Sequence, residues 1–260
     1  MHQRNNKVAV IAPTSMLHWV NEWYRERFHL VLTQYYWADA KYREFYNKRR
    51  EEGDFLILDN GAAELKHSAD SSKVIDACLQ LRPHVVIAPD VIHDCDQTYQ
   101  LTTEFLDRWF KELYEAGIEI MAVPQGSSKI EWLNCFVWFN KEPRISWLGI
   151  SMFYHEMFEG RLGALEYIRS EVTKPCHLLG LWDSPYTLRL EGRYDFVKSA
   201  DTAKAVEFAL EGLSMRQWQQ HKHIDDDWYF ELPKIEWEGK KDLIMRNVIQ
   251  LKDVFGGSIR

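Results

Sequence analysis

Eight short apolar runs, each followed by a segment with helical rhythm, constrain this chain more than any other feature. The runs span residues 7–13, 29–32, 55–59, 84–89, 118–123, 147–152, 177–181 and 195–200. A short apolar run bounded by turn residues reads as a buried strand. Helices are expected over 17–28, 35–50, 70–81, 96–116, 128–140, 161–171, 184–190 and 202–213. Ser15, Asp70 and Ser127 or Ser128 stand where N-caps belong, and Arg82-Pro83 and Gly117 stand where helices stop. Strands alternating with helices predict a parallel α/β sheet. Eight such units in 260 residues predict closure into a (β/α)8 TIM barrel over residues 1–214. Residues 215–260 lie outside the count. They hold an aromatic, acidic link over 218–237 and an amphipathic helix over 241–254, read as a C-terminal extension packed on the barrel.

Composition narrows the class. The chain is 46% hydrophobic and 27% charged, which suits a soluble globular protein, and no apolar run reaches membrane-spanning length. The stretch Val8-Ala9-Val10-Ile11-Ala12 is too short for a signal peptide. Four cysteines lie far apart with no C-x-x-C pair, which fits free thiols in a reducing cytoplasm. The net charge of −7 disfavours a general nucleic-acid binder. Lys41, Arg43, Lys48, Arg49 and Arg50, interleaved with Tyr42, Phe45 and Tyr46, read as a solvated helix face.

The chemistry gathers where the apolar runs end. The third closes on Asp59, the fourth on Asp90 and the fifth on Gln125-Gly126. The sixth holds Gly149 and Ser151, the seventh leads to Gly180 and Trp182-Asp183, and the eighth leads to Asp201. In a (β/α)8 barrel the C-terminal strand ends build the active site. Glycines let a ligand approach the backbone. A carboxylate accepts from ring N–H and amino groups, and an amide donates to a carbonyl, so the set can read the edge of a purine-like base. Two further carboxylates in one pocket suit displacement at an anomeric carbon, one attacking and one managing protons. An Asp at a strand end also serves as a helix cap or turn former, so each acid has a structural alternative. His221-Lys222-His223 reads as a solvated loop and His93-Asp94-Cys95-Asp96 as a capped helix start rather than metal sites. Neither a P-loop nor a G-x-S-x-G elbow is present.

Six segments in order carry a resemblance: Leu58-Asp59-Asn60-Gly61-Ala62, Ala88-Pro89-Asp90, Val123-Pro124-Gln125-Gly126, Leu148-Gly149-Ile150-Ser151, His177-Leu178-Leu179-Gly180 and Ser199-Ala200-Asp201-Thr202. Over about residues 55–210 the chain resembles the tRNA-guanine transglycosylase superfamily. It is most similar to the shorter phage-type enzymes that insert 7-deazaguanines into DNA. The resemblance implies Asp201 as the nucleophile at C1′ of a deoxyguanosine and Asp59 as the general acid/base. It implies that Asp90 holds the N1–H and 2-amino edge, that Gln125 and the Gly149 N–H address the carbonyl oxygen, and that Leu179 packs on a base face. Gly126, Ser151 and Gly180 fall in the same matched segments as further substrate-binding positions.

The chain departs from the tRNA enzymes in two places. No cysteine follows Cys176, so their structural zinc site and zinc subdomain should be absent. Ala62-Ala63-Glu64 stands where they carry an aromatic residue, so stacking would fall to Trp182 or Phe153. The shorter chain and the missing zinc subdomain favour DNA as the polymer. No cofactor is implied, because the glycosidic bond energy is conserved in the exchange. The partners implied are DNA and a 7-deazaguanine base such as 7-cyano-7-deazaguanine, with no membrane, in the cytoplasm (a host's, if the protein is phage-encoded). The charge leaves open a homodimer or a partner protein that supplies DNA affinity. The alternatives are a tRNA-acting transglycosylase, a nucleoside hydrolase or a non-catalytic modified-base-binding subunit.

Overall fold

A computed structural model of the chain describes residues 6–23, 27–62, 70–152, 155–181, 184–216 and 226–256. Its eight strands are β1 (Lys7–Val10), β2 (Phe28–Leu32), β3 (Phe55–Asp59), β4 (Val85–Ile87), β5 (Glu119–Ala122), β6 (Trp147–Ser151), β7 (Cys176–Leu179) and β8 (Val197–Thr202). Each overlaps one of the apolar runs. All paired neighbours are parallel, in the order β1-β8-β7-β6-β5-β4-β3-β2. β1 and β2 stand side by side, which curls the sheet into a (β/α)8 barrel. β4 is buried at every residue and β3 at all but its first, as a parallel sheet covered on both faces demands.

The helices between the strands are α1 (Leu17–Trp23), α2 (Thr33–Ala38), α3 (Ala40–Glu51), α4 (Ser71–Leu81), α5 (Cys95–Glu115) and α6 (Lys129–Lys141). They continue with α7 (His155–Phe158), α8 (Arg161–Ile168), α9 (Pro185–Glu191) and α10 (Lys204–Leu210). Side chains of Asp39, Asp70, Asp94, Ser128 and Ser184 accept backbone N–H groups at helix starts. Asp94 accepts from both the backbone N–H and the Nε2 of Gln97, so the His93–Asp96 stretch is the expected helix start.

Several boundaries differ from the sequence expectation. The helix expected over 35–50 is two helices, because Asp39 leaves helical geometry and its carboxylate caps α3 through Lys41 and Tyr42. Ser15 caps nothing. Its hydroxyl donates to Leu232 O at 2.6 Å and accepts from Trp237 Nε1 at 2.9 Å. β8 runs two residues later than expected, so Asp201 sits inside the strand rather than beyond it.

The C-terminal segment supplies α11 (Asp226–Phe230), α12 (Lys234–Glu238) and α13 (Lys241–Gly256). It packs on the barrel through Tyr229, whose hydroxyl donates to Ile11 O, and through Phe230 stacked on Tyr35. Asn247 is fully buried on α13. It donates to Ala205 O and Leu213 O and accepts from Met215 N–H, which binds the seam between the barrel and the extension. His221, Lys222 and His223 lie outside the described residues.

Candidate active site

Asp59, Asp90, Gln125, Ser151, Leu179, Gly180 and Asp201 line one cavity of ≈ 140 Å³. They come from the ends of six different strands, β3 to β8, at the C-terminal rim of the barrel. Asn60, Met152 and apolar side chains including Leu30, Ile87, Ile92 and Val123 complete the wall. Among the described residues the lining has carboxylates and amides but no Lys or Arg. That electrostatic balance suits a ligand rich in hydrogen-bond donors over an anionic one.

The first cluster is Asp90 with its two amides. Asn60 Nδ2 donates to Asp90 Oδ1 at 2.6 Å and to Ala88 O at 2.7 Å, which ties the end of β3 to the end of β4. Gln125 Nε2 donates to Asp90 Oδ2, while Gln125 Oε1 accepts from His93 N–H at 3.1 Å. The Gln125 backbone N–H donates to Cys135 Sγ at 3.4 Å. Burial pushes the Asp90 carboxyl up to about 6, and the hydrogen bonds from Asn60 and Gln125 restrain the rise. Gln125 is therefore already engaged with Asp90 through one hydrogen of its Nε2. Sequence reasoning gave Asn60 no role in the site. The signal was its place directly after a strand-end acid.

The second cluster surrounds Asp201. Its Oδ1 accepts from Gly180 N–H at 3.1 Å and meets His177 Nε2 at 3.1 Å. No hydrogen bond reaches its Oδ2 among the described residues. Gly180 adopts φ +69°, and a Cβ there would lie 2.7 Å from Met152 Sδ. The left-handed φ restricts the position to glycine. The turn is held from behind by Arg161, whose guanidinium donates to Leu179 O at 3.0 Å and Gly180 O at 2.7 Å. Arg161 in turn makes a bidentate pair with Glu191 at 2.9 and 3.0 Å, both residues being buried. Sequence reasoning missed His177, Arg161 and Glu191. His177 is an ionisable residue inside an apolar run, which was an available signal, whereas Arg161 and Glu191 sit in polar surroundings in the sequence and carried none.

Asp59 faces the same cavity. Its Oδ2 accepts from Gly61 N–H at 3.1 Å, and its backbone carbonyl accepts from Thr33 Oγ1. Asp59, Asp90 and Asp201 are thus cavity residues, whereas Asp39, Asp70 and Asp94 are caps.

Two expected site glycines do other work. A Cβ on Gly126 would lie 2.4 Å from Trp132 N, so this glycine lets the first turn of α6 pack against the strand end. Gly126 does not line the cavity. A Cβ on Gly149 would lie 2.8 Å from Leu179 Cδ1 and 2.9 Å from Val123 Cγ2, so Gly149 makes room for two cavity-wall side chains. The stacking candidates Phe153 and Trp182, together with Asp183, lie outside the described residues. Among the described residues no three His, Cys, Asp or Glu side chains are placed to hold a metal ion, and no helix is long and apolar enough to cross a membrane.

The basic cluster on α3 is largely spent within the fold. Arg43 donates to Tyr36 O, Arg49 pairs with Glu52 at 2.6 Å and Arg50 donates to Arg82 O. Tyr42, Phe45 and Tyr46 are buried, so their interleaving with the charges is the two-faced pattern of an amphipathic helix. Lys41 and Lys48 are exposed.

No family model and no curated protein matches the chain. Solved structures do. The YdjI aldolase from Escherichia coli K12 is similar over 98% of this chain and 92% of its own, with a TM-score of 0.62 and 13% identity. The IOLI protein with a bound zinc atom is similar over 97% and 99%, with a TM-score of 0.55 and 11% identity. Tryptophan synthase from M. tuberculosis is similar over 97% and 94%, with a TM-score of 0.54 and 11% identity. At such identities the likeness is one of fold, and the fold it establishes is the (β/α)8 barrel.

Proposed function

We propose that this protein is an enzyme, a DNA guanine transglycosylase that exchanges guanine for a 7-deazaguanine through a covalent aspartyl-glycosyl intermediate. One observation carries the reading. A single cavity brings together an acid with one oxygen held and the other open (Asp201), a second acid (Asp59), and a third acid flanked by amides (Asp90 with Asn60 and Gln125). The ordered resemblance of the same strand ends to the transglycosylases supports it.

In this reading the guanine lies in the cavity with its N1–H and 2-amino group on Asp90. The target nucleotide leaves the stack so that C1′ reaches Asp201. Asp201 Oδ2 attacks C1′, the C1′–N9 bond breaks, and the departing guanine takes a proton from the Asp59 carboxyl. The sugar is then held as an ester of Asp201. The incoming 7-deazaguanine gives a proton to Asp59 and its N9 attacks C1′. The ester bond breaks and the Asp201 carboxylate returns. Charge develops on the sugar between two carboxylates, which favours an oxocarbenium-like transition state. No bond energy is lost overall, so the exchange consumes no nucleoside triphosphate.

The test is nucleoside mass spectrometry after incubating the protein with 7-cyano-7-deazaguanine and either duplex DNA or tRNA. The expected result is the deazaguanine deoxynucleoside in DNA alone. Incorporation into tRNA alone would move the polymer assignment. Release of free guanine with no incorporation would make the protein a hydrolase.

A further inference from the structure

The pair of residues behind Asp201 has no part in the scheme above, yet its geometry converges on the proposed nucleophile. His177 on β7 is 0% exposed. Its Nε2 lies 3.1 Å from Asp201 Oδ1 and its Nδ1 lies 2.7 Å from Ser199 Oγ. Ser199 and Asp201 are both on β8, two residues apart, so they share one face of the strand. His177 and Leu179 share a face of β7 in the same way, with Leu179 in the cavity wall and His177 one layer beneath it.

A shift in strand pairing creates this alignment. Cys176 pairs with Val197, but the next residue, His177, pairs with Ser199. Lys198 is the extra residue of a β-bulge, exposed and donating to Asp195 O. Without the bulge His177 would oppose Lys198. With it, one imidazole edge meets a hydroxyl and the other meets the carboxylate.

We propose that His177 and Ser199 form a positioning dyad that aims the Asp201 carboxylate at C1′. This rests on the glycosyl-transfer reading. The Asp201 carboxylate is acceptor-only, so it selects the His177 tautomer with the proton on Nε2. Nδ1 then carries a lone pair, and Ser199 donates its O–H to it. Ser199 thereby fixes the tautomer and the ring plane. Oδ1 is held by two donors, the His177 Nε2–H and the Gly180 N–H, so rotation about Cβ–Cγ is restrained and Oδ2 is presented to the cavity. When the ester forms, negative charge leaves the carboxyl group. When the incoming base displaces it, the pair of the C1′–Oδ2 bond returns to the carboxylate and is shared with Oδ1, whose two donors are already in place, which assists its departure. His177 acts through Asp201 and does not touch the sugar, so it is a positioning residue.

The test combines one spectroscopic and one kinetic measurement. Nitrogen-15 NMR of histidine-labelled wild-type protein should show His177 as the Nε2–H tautomer, and the Nδ1–H tautomer would overturn the dyad. The kinetic arm follows formation of the covalent DNA adduct on a denaturing gel, with the dissociation constant for 7-cyano-7-deazaguanine measured alongside. H177F should slow adduct formation about 10²-fold with base affinity unchanged, because the base edge is read elsewhere. H177Q keeps an N–H near the Nε2 position and should recover most of that loss. S199A should slow the step about tenfold. Each variant is compared after a cooperative melt shows that it folds, and if H177F does not fold, H177Q and S199A carry the comparison. Adduct formation at the wild-type rate in a folded H177F, or equal defects in H177F and H177Q, would overturn the dyad. If the wild-type protein forms no adduct, the glycosyl-transfer reading fails, and the ring tautomer still decides whether His177 donates to Asp201.

Discussion

Asn60 donates from the residue after β3 to Asp90 Oδ1 across 2.6 Å, so two neighbouring strand ends share a hydrogen bond within the cavity. With Gln125 on the other oxygen, the Asp90 carboxyl is a buried acceptor held between two amides. Its two protonation states present different edges to a ligand, an acceptor when ionised and a donor when protonated.

Base affinity should therefore depend on pH. Burial raises Asp90 to about 6, so the carboxylate predominates above that pH and is lost as the pH falls through it. Calorimetric titration with 7-cyano-7-deazaguanine from about pH 5 to about pH 8 should show tighter binding on the alkaline side. Asp90→Asn should weaken binding about tenfold or more at neutral pH and flatten the profile. An unchanged profile in the variant would remove Asp90 from the base edge.

Gly126 and Gly149 should separate stability from binding. Gly126→Ala drives a methyl group into the backbone of α6 at Trp132 and should destabilise the protein by about 1–3 kcal/mol in urea unfolding. Gly149→Ala instead meets side-chain atoms, Leu179 Cδ1 and Val123 Cγ2, in the cavity wall. It should cost less stability and lose more base affinity. Equal effects on both measures would argue against these separate roles.

Arg161 and Glu191 should behave as a unit. Glu191→Gln leaves a buried guanidinium without its counter-charge and should cost about 3–5 kcal/mol. The double variant Arg161→Met/Glu191→Met removes both charges at similar volume and should regain much of that stability. It should not regain adduct formation, because Arg161 no longer holds the Leu179 and Gly180 carbonyls behind Asp201. Full activity in the double variant would show that the Gly180 turn needs no such support.

The barrel was legible because its strands are short apolar runs that alternate eight times with segments of helical rhythm. The boundaries were less so. Asp39 breaks one helix into two through a local carboxylate cap, and propensity over 35–50 does not contain that choice. Ser15 looked like a cap and is instead bound to Leu232 and Trp237, more than two hundred residues away. The cavity acids were legible as strand-end residues, and Asp59, Asp90 and Asp201 do meet in one cavity. The supporting contacts were not. His177 reaches Asp201 because of a bulge at Lys198, and the register between β7 and β8 that places it is set by strand pairing, which the apolar pattern does not contain. Gly126 and Gly149 were read as openings for a ligand, but what a glycine makes room for depends on its neighbours in space.

The most direct measurement is the site of covalent attachment. The protein is incubated with duplex DNA, quenched in denaturant and digested, and the modified peptide is mapped by mass spectrometry. The account predicts a sugar–DNA adduct on the peptide bearing Asp201, absent in Asp201→Asn while that variant melts at the wild-type temperature. An adduct on Asp59 instead, or base exchange that proceeds normally in Asp201→Asn, would contradict it.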